Sequence, residues 1–152
     1  MLDEKLSKHI ELLVQRYPVL EGVKSTIEKG YALLERCFEG GGKVLIGGNG
    51  GSAADAEHIV GELMKGFVKP RRLPEDLCES LRKVEPKLGE ELSLKLQQAL
   101  PAIALTVHNG LNTAFLNDVD GVMCFAQGVN GYGCDGDVFI GISTSGNSQN
   151  VL

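Results

Sequence analysis

The sequence predicts an α/β fold in which a parallel sheet is flanked by helices. Three short apolar segments, at residues 44–46, 101–106 and 138–142, are typical of strands that are buried on both faces. Segments with apolar residues three and four positions apart separate them, as crossovers between parallel strands require. Two of the strands run directly into small polar loops, at the edge where such sheets bind ligands.

Two amphipathic helices are predicted before the first strand, over residues 3–15 and 19–38. Tyr17-Pro18 separates them, because the residue before proline avoids the helical region. Gly40-Gly41-Gly42 ends the second helix as a glycine C-cap. The apolar stripes are Leu6, Ile10, Leu13 and Val14 in the first helix and Val23, Ile27, Tyr31, Leu34 and Phe38 in the second. Packing within the chain and a subunit interface both explain this large apolar surface.

A glycine-rich turn, Asn49-Gly50-Gly51-Ser52, follows the first strand. Glycine lets the backbone turn sharply and brings N–H groups close to a ligand. Ser52 is predicted to cap the next helix, because Ser52-Ala53-Ala54-Asp55 has the form of a capping box. A helix N-terminus carries unpaired N–H donors and the positive end of the helix dipole, so the turn is predicted to bind phosphate.

A second loop, residues 143–148, follows the third strand and has the same design. It carries the hydroxyls of Ser143, Thr144, Ser145 and Ser148, which can donate to phosphate oxygens. Two strand-to-loop junctions of this kind in one small chain indicate a phosphate site more strongly than one does.

The helix after Ser52 carries the candidate chemistry. Its buried stripe is predicted to be Ala56, Ile59 or Val60, Leu63 and Phe67, while Asp55, His58 and Glu62 form a second stripe. A histidine and a glutamate four residues apart can share one metal ion or one proton pathway. Spacing alone favours the simpler alternative, an ion pair on a solvated helix face.

Residues 69–100 differ in character from the rest of the chain. A basic, proline-containing connector at 69–74 is followed by predicted helices over 75–84 and 88–99. This segment could be a lid, an oligomer contact or passive decoration, and Arg71 and Arg72 are more often solvated than bound to phosphate. Further helices are predicted over 110–116 and 120–131, divided at Asn117-Asp118, where Asp118 can serve as a cap. His108 is more often a bystander than a base in such a loop.

Composition indicates one globular domain in the cytoplasm. The 152 residues have a formal charge of −5, which argues against a nucleic-acid partner. No apolar run is long enough to span a membrane, and the N-terminus lacks the apolar core of a signal peptide. The four cysteines show no metal-finger spacing, so reduced thiols are expected.

The two loop motifs, G-N-G-G-S-x-x-D-A-x-H-x-x-x-E-L and G-D-V-x-x-x-I-S-T-S-G-N-S, resemble those of the sugar isomerase (SIS) domain family, and within it the phosphoheptose isomerases. The resemblance covers most of residues 1–152 except an apparent insertion at 69–100. It implies a three-layer domain similar to the flavodoxin and Rossmann folds. It also implies aldose–ketose isomerisation of a phosphosugar, sedoheptulose 7-phosphate to D-glycero-D-manno-heptose 7-phosphate, through an enediol.

The same resemblance implies roles for individual residues. Glu62 matches the base, His58 lies beside it, and the two match zinc ligands of some members; no organic cofactor is expected. The phosphate is expected among Asn49, Gly50, Gly51, Ser52, Ser143, Thr144, Ser145 and Ser148, with Asp118 near the sugar. The family often has an arginine where this chain has Gly66, which departs from the pattern. A homotetramer is implied, which favours the subunit-interface interpretation of the N-terminal helices.

Two further expectations follow from the resemblance. SIS domains also occur as non-catalytic phosphosugar-binding modules, in regulators or beside a replication initiator, and Glu62 favours the enzyme over that alternative. Family members continue beyond the point matching Leu152 with a glutamine and a histidine linked to zinc and proton transfer. The chain is therefore expected to be C-terminally truncated, with 147–152 starting a helix capped by Asn147 or Ser148, and to be nearly inactive alone.

Overall fold

Three parallel strands form the sheet of this protein, with β1 (Val44–Gly48) between β2 (Ala102–Ala104) and β3 (Val138–Ile142). The computed structural model describes residues 4–152. Leu45 pairs with Ile103 on one side and Phe139 on the other, and Gly48 pairs with Ile142. All five residues of β1 are buried, as expected for the central strand of a covered parallel sheet.

Side-chain alternation along β1 divides the core into two clusters. Val44 and Ile46 pack with Cys37 and Ala56, which belong to helices α2 (Lys24–Glu39) and α3 (Gly51–Met64). Leu45 packs on the opposite face with Phe125 of helix α7 (Cys124–Tyr132). Helices therefore cover both faces of the sheet, and the predicted three-layer α/β architecture is confirmed.

The N-terminal helices match the predicted pattern in part. Helix α1 (Glu4–Arg16) buries Ile10 and Val14, and residue 3 of the predicted range lies outside the described residues. The second predicted helix begins as a 3₁₀ turn, Pro18–Val23, because Val23 adopts φ −114° and ψ 6°, outside α-helical geometry. Gly40 caps α2 as predicted. Val23 and Tyr31 remain 45% and 38% exposed, so much of the predicted stripe of α2 is open to contact.

Helix α3 ends earlier than its apolar pattern predicts. Ala56 is buried, and Val60 and Leu63 pack against the same cluster, but Phe67 is 77% exposed. The prediction for Phe67 is wrong because α3 stops at Met64. The side chain of Arg71 donates to the carbonyl oxygens of Leu63, at 2.5 Å, and Gln98, at 2.8 Å, and so caps the helix from outside it.

The segment after α3 forms a helical hairpin of α4 (Glu75–Val84) and α5 (Pro86–Lys95), and the first matches its predicted bounds. A Cβ on Gly89 would lie 2.4 Å from the carbonyl oxygen of Leu81, so the two helices touch through their backbones. Arg82 donates to Glu75 at 2.8 Å and to Glu90 at 2.7 Å, which ties both helices together.

The connecting segments before α4 and after α5 lie side by side. The N–H of Gln98 donates to the carbonyl of Arg71 at 2.9 Å, and that of Leu100 donates to the carbonyl of Leu63 at 3.0 Å. The hairpin is thus attached to the end of α3 by its two ends.

The predicted helix break at Asn117-Asp118 lies slightly too early. Helix α6 (Asn109–Asp118) includes both residues, and a short 3₁₀ turn, Gly121–Met123, leads into α7. The cap belongs to Asp120, whose side chain accepts from the N–H of Val122 at 2.9 Å. Asp118 therefore does not cap this turn. Strand β2 is also shorter than predicted, because Leu105–Val107 forms a 3₁₀ turn.

A charged cluster joins β1 and β3 at the amino edge of the sheet. Asp137 accepts from the N–H of Lys43 at 2.8 Å, from its Nζ at 2.6 Å and from the N–H of Cys134 at 2.8 Å. These bonds to Lys43 and Cys134 lower the pKa of Asp137 to about 2.

Within residues 4–152, every helix is too short or too polar to cross a membrane.

Candidate active site at the carboxyl edge of the sheet

The two predicted phosphate loops lie side by side at the carboxyl edge of the sheet. Because β1 and β3 are adjacent and parallel, the loops that follow them emerge at the same edge. The side-chain amides of Asn49 and Asn150 exchange two hydrogen bonds between these loops, at 2.8 and 2.9 Å. The structure thus joins two stretches of chain that are a hundred residues apart.

Glycines shape the turn after β1. Gly50 has φ +56°, in the left-handed region that favours glycine. A Cβ on Gly48 would lie 2.8 Å from the carbonyl oxygen of Ser52, so α3 starts against the end of the strand. The N–H groups of Ser52 and Ala53 donate back to the carbonyls of Asn49 and Gly50, both at 3.0 Å. The turn therefore places the N-terminus of α3, with its positive dipole end, at this edge.

The predicted capping box at Ser52 does not form. Gly50 occupies the N-cap position and provides no side-chain cap, while Ser52 lies inside the first turn and is 8% exposed. Gly51 is the first helical residue, two residues earlier than an N-cap at Ser52 requires. Ser52 packs against Gly48 at the end of β1.

The loop after β3 satisfies its own polar groups. The hydroxyls of Ser143 and Ser148 bond each other at 2.9 Å, and Ser145 Oγ accepts from the N–H of Asn147 at 3.2 Å. Gly146, with φ +68°, closes the loop. Neither Asn147 nor Ser148 forms the predicted side-chain cap. The N–H groups of Val151 and Leu152 donate instead to the backbone carbonyl of Ser148. Thr144 and Ser145 are exposed, so hydroxyls are available to a ligand by rotation.

His58 and Glu62 lie on one exposed face of α3. Nε2 of His58 is 3.5 Å from Oε1 of Glu62, and their side chains are 78% and 49% exposed. Both are accessible to a substrate, and the pair matches the predicted spacing. Two protein ligands fall short of the three that catalytic zinc sites use, and among residues 4–152 no group of three metal-binding side chains occurs. The described residues alone therefore do not complete a zinc site.

Asp118 and His108 make contacts of their own. The carboxylate of Asp118, at the end of α6, is exposed and accepts from the side chain of Asn117 at 2.7 Å. His108 stacks on Tyr132 with ring centroids 5.1 Å apart, and its buried Nε2 has no partner in the described part of the chain. Neither forms a hydrogen bond to the two loops or to Glu62 in this structure.

Sequence reasoning missed three contacts, one between the two loops of the site and two elsewhere in the fold. They are the Asn49–Asn150 amide pair, the cap that Arg71 places on α3 and the Lys43–Asp137 cluster. Asn150 carried no local signal, whereas Asp137 and Lys43 both sit directly before a predicted strand. Charged residues of opposite sign at the same end of neighbouring strands could have indicated that pair.

The comparisons with known proteins agree with this architecture. No family model matches the chain. The phosphoheptose isomerase of Desulfovibrio desulfuricans is 40% identical over 116 residues, covering 76% of this chain and 43% of the relative. That of Campylobacter jejuni is 36% identical over 151 residues, covering 99% of this chain and 66% of the relative.

Two solved structures have the same fold. Phosphoheptose isomerase GmhA from Neisseria gonorrhoeae superposes with a TM-score of 0.62 at 30% identity, covering 99% of this chain and 65% of that one. A phosphoheptose isomerase from Francisella tularensis gives 0.66 at 27%, covering 97% and 64%.

The chain belongs to the phosphoheptose isomerase family. It has the sugar isomerase fold, and the predicted resemblance is confirmed over nearly its whole length. The chain spans between 43% and 66% of the length of the curated relatives cited above.

Proposed function

We propose that this chain carries the phosphosugar site of an isomerase that interconverts sedoheptulose 7-phosphate and D-glycero-D-manno-heptose 7-phosphate. The observation that carries the proposal is that the glycine turn at Asn49–Ser52 lies beside the hydroxyl loop at Ser143–Ser148, and that the Asn49–Asn150 pair joins them. The similarity of the chain to phosphoheptose isomerases supports the same function.

The loops can bind a phosphate without any charged side chain. The first N–H groups of α3 lack partners within the helix, and the helix dipole is positive at this end. Ser143 and Ser148 now bond each other and would turn their hydrogens toward the phosphate when it enters. Neutral donors of this kind form charge-assisted hydrogen bonds, which are stronger than bonds between neutral groups.

Glu62 is the proposed base. In the direction from ketose to aldose it would take a proton from C1 and return it to C2 through an enediol, while a proton passes from O1 to O2. His58, 3.5 Å away, can hold or share that proton. The developing charge on the carbonyl oxygen needs a donor, and none is assigned within the described residues.

The position of Glu62 along α3 supports a site shared between subunits. Glu62 lies eleven residues after Gly51, which is about 16 Å of helical rise from the phosphate turn. A substrate bound within one copy would have to lie extended along the helix, and a Glu62 from another copy removes that requirement. We therefore propose a homotetramer, whose interface includes the exposed apolar residues of the two N-terminal helices.

Mixing two impaired variants at a substrate concentration below the KM of the weakly binding one tests a shared site. Glu62→Gln and Ser145→Ala copies, each nearly inactive or weakly binding alone, should regain turnover when assembled together if the two residues serve one site from different copies. Light scattering on the wild type gives the assembly size. A monomer at micromolar concentration, or mixed assemblies no more active than the sum of the parents, would contradict this part of the proposal.

Zinc remains a prediction, with His58 and Glu62 supplying two ligands of suitable chemistry. Metal analysis after purification without added metal, repeated on His58→Ala, tests it: a stoichiometric zinc lost in the variant supports the site. An organic cofactor has no role in the proposed proton transfer, and a cytoplasmic location is proposed from the composition.

A non-catalytic phosphosugar-binding module is the second candidate. The exposure of His58 and Glu62 on the surface of α3 favours it. The deciding experiment uses a version of the protein extended to the length of its relatives, and it measures turnover of sedoheptulose 7-phosphate beside its binding by calorimetry. Binding together with turnover supports the isomerase, binding without turnover supports the module, and the lack of both rejects the two proposals.

A further inference from the structure

The geometry points to Asn150 as a positioning residue, which holds Asn49 and the glycine turn in the form that receives a substrate phosphate. This inference rests on the proposed function, since it concerns the same site. Asn150 touches no reacting atom and acts through Asn49. Its role follows from the reciprocal amide pair, from the packing of its own turn and from the lack of packing around the glycine turn.

The amide pair fixes the orientation of both side chains. Asn49 Nδ2 donates to Asn150 Oδ1 at 2.8 Å, and Asn150 Nδ2 donates to Asn49 Oδ1 at 2.9 Å. Rotating one amide alone would bring oxygen against oxygen and nitrogen against nitrogen, so neither can flip independently. Each amide keeps a second N–H, which is a neutral donor beside the loops.

The turn that carries Asn150 is anchored in the core. The N–H of Val151 donates to the carbonyl of Ser148 at 2.9 Å. The Val151 side chain packs with the cluster around Leu45, and a Cβ on Gly141 would lie 2.6 Å from its Cγ1. Asn150 therefore has a fixed backbone from which to hold its partner.

The middle of the turn that carries Asn49 lacks comparable packing. A Cβ on Gly50 or Gly51 would meet nothing within 4 Å, so no neighbour packs against the chain at these positions. Glycine also has the largest backbone freedom of any residue. The amide pair ties this open turn to the core-packed turn, and it does so without placing a negative charge near a phosphate.

Three variants test the inference: Asn150→Ala, Asn150→Asp and, as a matched control, Asn130→Ala on the exposed side of α7. The first readout is amide exchange of Ser52 and Ala53 in the ligand-free protein, because their N–H groups bond within the turn. Asn150→Ala should speed this exchange about 3- to 10-fold, as expected for the loss of one or two net hydrogen bonds. Asn130→Ala should leave it unchanged.

The second readout is the division between KM and kcat for sedoheptulose 7-phosphate, measured with the same variants in a version of the protein extended to the length of its relatives. Asn150→Ala should raise KM about 3- to 10-fold and change kcat little, because phosphate binding weakens while the base stays in place. Asn150→Asp should raise KM further at pH 7, since its carboxylate cannot donate to Asn49 and repels the phosphate.

Protonation offers a rescue that a merely structural role would not produce. A carboxylic acid can donate to Asn49 Oδ1 and accept from Asn49 Nδ2, so it restores the reciprocal pair. The affinity of Asn150→Asp for inorganic phosphate, relative to wild type at each pH, should recover as the pH falls toward about 4, the ordinary pKa of aspartic acid. Asn150→Ala should show no recovery.

Unchanged exchange at Ser52 and Ala53 in Asn150→Ala would overturn the inference, as would equal losses in Asn150→Ala and Asn130→Ala. Failure of the proposed function looks different. In that case wild type binds neither sedoheptulose 7-phosphate nor inorganic phosphate, while the exchange experiment still reports whether Asn150 holds the turn.

Discussion

The two edges of the sheet join β1 and β3 by different chemistry. At the amino edge, the carboxylate of Asp137, with only 8% of its side chain exposed, accepts three hydrogen bonds from Lys43 and Cys134. At the carboxyl edge, two neutral amides in an open loop exchange two bonds. The charged and shielded edge is built to hold the strands together, and the neutral and open edge leaves room and donors for an anion.

The largest expected effect is on turnover, and it comes from Glu62, which belongs to neither of the two edge contacts. In a version of the protein extended to the length of its relatives, Glu62→Gln keeps the shape of an exposed helix residue but removes the proposed base, so turnover should fall at least ~10²-fold with modest change in substrate binding. Steady-state kinetics beside calorimetry measures this, with Glu57→Gln on the same helix as control. Near-wild-type turnover would remove Glu62 from the mechanism.

Matched glycine substitutions compare the two edges directly. A Cβ on Gly48, at the carboxyl edge, would lie 2.8 Å from Ser52 O, and one on Gly42, before the amino edge, would lie 2.9 Å from Gly136 O. Each change to alanine should cost about 1–3 kcal/mol of unfolding free energy, the usual range for overpacking. Only Gly48→Ala should also weaken phosphosugar binding, because it displaces α3. If both variants lose phosphosugar binding equally, after correction for the fraction of unfolded protein, the proposed difference between the two edges is wrong.

Removing one hydroxyl should affect binding without affecting stability. Ser145→Ala should weaken phosphosugar binding by ~1–2 kcal/mol, since a charge-assisted bond to phosphate is lost. Its side chain is exposed and accepts only one bond from Asn147, so the melting temperature should hardly move. If the melting temperature drops and affinity stays constant, the loop is structural.

The smallest expected effect is on stability at the amino edge, and it is measured by lowering the pH. The pKa of Asp137 falls from its usual 3.8 to about 2, chiefly through its bond to the Lys43 side chain. Its contribution to stability is therefore fully present above pH 3.8 and is lost as the pH falls toward 2. Asp137→Asn should lower the melting temperature at pH 7 and flatten its dependence on pH between about 4 and about 2. An unchanged pH profile would show that this edge is not held by charge.

Local patterns predicted the strands and helices of this chain well. The apolar segments at 44–46 and 138–142 and the helix at 75–84 appear as predicted, because burial on two faces and proline at a helix start are properties of a few neighbouring residues. The shared direction of parallel strands was also enough to predict that the two loops meet at one edge of the sheet.

The errors and omissions came from contacts between distant residues. Apolar periodicity places Phe67 in the core because the helical pattern continues past Met64, but α3 ends at Met64, where Arg71 donates to the carbonyl of Leu63 from outside the helix. The partners Asn49 and Asn150 lie 101 residues apart, and Lys43 and Asp137 lie 94 apart. No periodicity in one sequence encodes such pairs, so both contacts were visible only in the fold.

The hairpin of α4 and α5 has a consequence for how this protein can change. Its two ends are hydrogen-bonded neighbours, through Arg71 and Gln98, and its internal contacts are made by its own helices. Because its removal would leave nearly coincident chain ends, the hairpin can be gained, lost or exchanged for another module without rewiring the sheet. The end of α3 is thus a natural attachment point, where a new partner surface or a reporter domain can be grafted beside Glu62 while the phosphate loops stay in place.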